Sequence, residues 1–158
     1  MNISIEELQA KKYQRGGTVV YPPGTPLRCL NPGAGRERRE GLFRVEITWP
    51  GKGWATYIHI VNHEFKKAGS TGTGNASFKT RMEQSYGCLR LVIAGGPPYR
   101  GDPWKRYAPA TILAQQEIEL WVKPQPSIED MFAEEDALNR HYMGEWSKEG
   151  WTRDGMRR

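Results

Sequence analysis

The chain has 158 residues and a mass of 18.0 kDa, room for one domain or a domain with an appendage. Only 37% of it is hydrophobic while 18 Gly and 11 Pro punctuate it, which points to a loop-rich fold with a small core, or to burial completed against a partner. Six Trp, seven Tyr and four Phe exclude a disordered chain, because such chains are poor in aromatics.

Charge is uneven. Residues 1–125 hold 18 Lys/Arg against 10 Asp/Glu, and residues 126–158 hold 5 against 8. The expected division is therefore a basic β-rich domain over 1–125 and a C-terminal helical segment over 126–158. A body of net charge +8 with a more acidic tail suits a polyanionic partner, most often nucleic acid; ordinary solubility is the plainer alternative. No apolar run approaches the roughly 20 residues of a membrane span, and no signal-peptide pattern opens the chain. The expected setting is intracellular, cytoplasmic or nuclear or virion-associated, with no membrane. Cys29 and Cys88 sit apart in apolar surroundings with no CxxC pair, so they read as buried structural thiols in a reducing compartment.

In chain order, Ser4-Ile5-Glu6-Glu7 reads as a capping box opening a short helix to about Tyr13. Thr18 to Tyr21 reads as a short strand stopped by Pro22-Pro23-Gly24, and Leu27 to Leu30 as another closed by Asn31-Pro32-Gly33. Leu42 to Trp49 alternates, with Phe43, Val45, Ile47 and Trp49 on one face. Pro50 to Gly53 supplies turn residues and Trp54 to Val61 returns, so this stretch predicts a β-hairpin with Trp49 facing Trp54. Residues 62–87 predict an irregular segment with one or two helical turns over Phe78 to Gln84. Cys88 to Ala94 is an apolar run expected to be a buried strand, followed by a long loop to Pro109. The last strand is expected within Ile112 to Val122, where Ile118, Leu120 and Val122 alternate with Glu119 and Trp121. Ser127 caps a final helix running to about Lys148, with acids in its first turn.

That order of elements predicts an α+β, β-rich fold: a small five-stranded OB-like or related barrel with a short N-terminal helix and a C-terminal amphipathic helix. Such barrels bind oligonucleotides on a strand face and its adjoining loops. The loop from Pro97 to Tyr107 interleaves Tyr99, Trp104 and Tyr107 with Arg100, Lys105 and Arg106. Bases stack on aromatics while cations follow phosphates, so these residues, with Arg44 on the strand face, are the candidate nucleic-acid contacts. A Pro-pinned loop with Trp104 packed as local core is the competing reading.

Ile128, Met131, Phe132, Leu138, Tyr142 and Trp146 form one apolar stripe at helical spacing. The expectation is a docking helix for a protein partner or a second copy, with closure of the chain's own core as the alternative. An assembly role, as a structural subunit of a virion or ribonucleoprotein, fits the same composition. As a third reading, Arg28, Ser70-Thr71 and Glu117-Ile118-Glu119 loosely resemble the Arg, Ser-Thr-Ser and Glu-x-Glu signatures of ADP-ribosyltransferases, with Gly72 standing where that family has Ser. The resemblance implies that Arg28 holds dinucleotide phosphates, Ser70 orders the site and Glu119 stabilises the transition state. His59 and His63 lie on a strand about 13 Å apart, too far to share a metal, and Glu64-Phe65-Lys66 lacks a paired acid. No catalytic, cofactor or metal set is expected.

Overall fold

A computed structural model describes residues 1–21, 43–72, 77–93 and 103–147. Among them run α1 (Ile5–Ala10), β1 (Gln14–Val20), β2 (Arg44–Ile47), β3 (Ala55–Val61), β4 (Glu64–Ser70), α2 (Phe78–Gly87), α3 (Arg90–Ile93), α4 (Pro103–Leu113), β5 (Ile118–Pro124) and α5 (Ile128–Tyr142). The strands make one antiparallel sheet in the order β2-β1-β5-β3-β4. The α+β class and a count of five strands are as expected, but β4 stands where an irregular segment was expected and the expected strand near Cys88 is not among them. The barrel is not seen: β2 and β4 lie at opposite ends of an open sheet.

The predicted hairpin is a correction. β2 pairs with β1, and β5 lies between β1 and β3. Trp49 turns inward instead, its ring 5.9 Å edge-on from Phe78, while Trp54 is exposed. The true hairpin joins β3 to β4 through Asn62 and His63. Both have positive φ, 50° and 63°, the backbone of a two-residue turn matched to strand twist.

Each sheet face carries its own core. Tyr57, Phe78, Met82, Tyr86, Trp104, Ile112, Leu120 and Val122 belong to one cluster, under α2, α3 and α4. Ile3, Leu8, Tyr13, Ile58, Ile60, Phe65, Trp121, Leu138 and Tyr142 form the other, under α1 and α5. This explains why every residue of β3 is buried: a central strand covered on both faces has no solvent side.

Other boundaries shift for local reasons. Ser4 and Ser127 cap their helices as read, each accepting the backbone N–H three residues on. Glu7 does not complete the capping box; its carboxylate accepts from the Tyr142 hydroxyl at 2.9 Å. The run Cys88 to Ala94 contains a helical turn rather than a strand, since a short apolar run fits either. The expected loop to Pro109 holds α4, with Pro103 at its first position, where no N–H is needed. α5 stops at Tyr142 because Met143 turns left-handed at φ 49°. The expected strand Leu27 to Leu30 lies outside the described residues. Among those described, no helix is long and apolar enough to cross a membrane.

Candidate functional site

β3 and β4 pair at His59 and Lys67, and the register then slips so that Ile60 meets Phe65. The extra residue is Lys66, a bulge. Because side chains alternate with period two, this slip lets Lys67 share the face of His59 while Phe65 faces the opposite core. Lys66 itself is held by Glu64 at 3.2 Å and Glu145 at 2.8 Å. Burial works against its charge, but those hydrogen bonds outweigh it and hold its pKa above the ordinary lysine value.

The His59 face opens into a cavity of about 380 Å³ lined by Tyr57, His59, Lys67, Arg81, Gln84, Ser85, Cys88, Trp104 and Lys105, a small-ligand size. The cations come from three elements: Lys67 from β4, Arg81 from α2 and Lys105 from α4. No Asp or Glu is among the described lining residues. Lys67 Nζ stands 5.7 Å from the Trp104 ring centroid, within cation–π range.

His59 forms the floor, 3% exposed, ringed by Tyr57, Tyr86, Trp146 and Trp104 with centroids 5.4 to 6.3 Å away. Its Nδ1 is hydrogen-bonded to the Tyr86 hydroxyl at 2.7 Å. Burial, reinforced by the charge of Lys67, holds the His59 pKa well below the usual histidine value, so the ring stays neutral. Burial likewise raises Tyr86, offset in part by the Trp104 indole N–H, and raises Tyr57 against the opposing pull of Arg81, which hydrogen-bonds it. The floor is thus uncharged and the cations belong to the walls.

The residues singled out from sequence separate. Trp104 is 5% exposed, a core member as well as a pocket wall, so the local-core reading of that residue holds. Lys105 reaches the pocket. Arg106 and Tyr107 are exposed, the guanidinium 5.1 Å from the ring centroid. Arg44 lies on the edge strand β2, 4.0 Å from Glu46 and away from the pocket lining. Tyr99 and Arg100 lie outside the described residues. Sequence reasoning did not bring Lys67, Arg81 and His59 together as pocket residues, since they come from separate segments and no local pattern links them.

The stripe proposed for docking is largely occupied by the chain itself. Met131, Leu138 and Tyr142 are buried, and Phe65 stacks on Tyr142 at 4.8 Å. Ile128 and Phe132 are half-buried. Trp146 is not on the helix. The chain crosses the β4 edge, where the Trp146 N–H donates to the Lys66 carbonyl at 3.1 Å, and buries the indole in the core of the other face.

The transferase-like set does not assemble. Ser70 pairs with Thr56 at one end of β3, whereas Glu119 pairs with Ile60 near its other end. Glu117 and Glu119 both bind Arg15, and Arg28 lies outside the described residues. Among the described residues no three His, Cys, Asp or Glu side chains gather to hold a metal. Comparison with protein-family models, curated proteins and solved structures finds no match to this chain.

Proposed function

We propose that this chain is a non-catalytic, largely sequence-independent binder of single-stranded nucleic acid, acting through the sheet face that carries α2 and α4. The observation that carries the reading is the convergence of Lys67, Arg81 and Lys105 on one aromatic-walled pocket whose described lining has no carboxylate. Phosphates follow cations and bases stack on rings. On the same helix as Lys105, the exposed Arg106 and Tyr107 offer a further cation and ring to solvent. The +8 body adds long-range attraction. The packed face of α5 lies on the other side of the sheet, and of its acids Glu135 is the one whose charge reaches Tyr57 at the pocket wall. The role belongs to an intracellular or virion-associated setting, where such strands are met.

The test is anisotropy of a labelled single strand in about 50 mM salt, where counterion release favours binding. Tyr107→Ala weakens the complex by about 1–3 kcal/mol without altering its salt slope, because a stacking surface is lost and no charge. Arg106→Gln makes the slope shallower by about 1. Absence of any complex at that salt overturns the reading.

A further inference from the structure

Resting on that reading, we infer that the pocket between β4, α2 and α4 takes a nucleotide phosphate monoester, the phosphorylated end of a strand, rather than an internal phosphodiester. An internal diester carries one negative charge and runs along an open surface. A terminal phosphate carries about −1.5 to −2 at pH 7 and three strong acceptor oxygens, and it can enter a recess. The recess here is about 380 Å³ and brings Lys67, Arg81 and Lys105 to its walls, three donors for three oxygens. Arginine adds a planar fork suited to phosphate. Trp104 and Tyr57, each only 5% exposed, close the recess around the cations. His59 at the floor is nearly inaccessible and bonded to Tyr86, so it shapes the depth without adding charge.

A free nucleoside monophosphate presents the same chemistry, and the experiment separates the two sources. Affinities are measured for one short single strand in four forms: 5′-phosphorylated, 3′-phosphorylated, hydroxyl at both ends, and circularised. A nucleoside monophosphate is titrated separately. The proteins are the wild type, Lys67→Gln, Arg81→Gln and Arg44→Gln, each shown by its melting curve to be folded. The expected result is one phosphorylated form bound about tenfold or more tighter than the hydroxyl and circular forms. That preference disappears in Lys67→Gln and Arg81→Gln and survives in Arg44→Gln, which changes a cation outside the pocket. Equal affinity for all four forms overturns the end-binding inference while leaving the nucleic-acid reading intact. Binding of the monophosphate but of no strand, lost in the two pocket variants, supports the phosphate monoester pocket and overturns the nucleic-acid reading. Binding of neither overturns both.

Discussion

His59 shows how a single residue ties the site to stability. Its folded-state pKa lies well below the usual value because burial, aided by Lys67, disfavours the cation. Arg81 and Lys105 line the same pocket. Above the unfolded value of about 6.5 both states are neutral and nothing is lost. Below it the unfolded chain takes a proton that the folded chain resists, so stability falls by as much as about 1.4 kcal/mol per pH unit. His59→Gln keeps a hydrogen-bonding group near Tyr86 and cannot be protonated. Denaturant unfolding at a series of pH values from 7 downward, compared with wild type, is expected to show a shallower loss in the variant. Parallel curves would mean that His59 is protonated in the fold. At the same scale, Trp104 and Tyr107 part company although only two residues separate them. Trp104→Ala is expected to cost roughly 3–5 kcal/mol of stability, as a buried Trp truncation does. Tyr107→Ala, at an exposed site, is expected to leave the melting temperature within a degree or two of wild type.

Among the elements, the C-terminal strap is the least expected. Gly144 runs so close to β4 that a Cβ there would meet the Lys66 carbonyl. The close approach allows the Trp146 N–H to reach that carbonyl and cap the sheet edge, which blunts an otherwise open strand. Gly144→Ala therefore costs at least about 2 kcal/mol by forcing backbone apart, read as a fall in the denaturant midpoint. An unchanged midpoint would show that the strap yields without loss. Local chemistry announced several of these elements correctly: the caps at Ser4 and Ser127, the helix near Phe78, and the alternation of β5. Three things hid the rest. The bulge at Lys66 breaks the period of β4, so Glu64 to Ser70 reads as irregular. The Asn62-His63 turn lacks the glycine that marks most two-residue hairpins. Pairing of β2 with β1 and insertion of β5 beside β3 are contacts between distant segments, to which neighbouring alternation and a plausible turn at Pro50 to Gly53 give no clue.

Across the molecule, the sheet divides most of the two charge populations, with Glu135 the acid whose charge reaches Tyr57 in the pocket wall. The helix carrying Glu129, Asp130, Glu134, Glu135 and Asp136 covers one face, and the pocket with its three cations opens on the other. The basic body was legible from composition, and of the residues singled out from sequence Trp104 and Lys105 lie in the pocket lining. Lys67 and Arg81 were not singled out, because a pocket built from three separate segments has no signature in any one of them. The same division argues against the tail as a competitor for phosphate. Removing residues 126–158 is expected to expose the Ile58, Ile60 and Phe65 face and to lose Trp146, giving a chain that fails to melt cooperatively. A cooperative melt with wild-type midpoint would restore the docking role for that helix.

The most direct measurement is the salt dependence of single-strand affinity in the wild type and in a variant with Lys67→Gln, Arg81→Gln and Lys105→Gln together. Each phosphate charge neutralised on a single strand contributes a slope of about −0.7, so losing the cradle of one terminal phosphate of about −1.5 to −2 makes the logarithmic slope shallower by about 1 while the variant stays folded. Identical slopes, or a wild type that binds no single strand, would contradict the assignment of this pocket as the phosphate-binding centre.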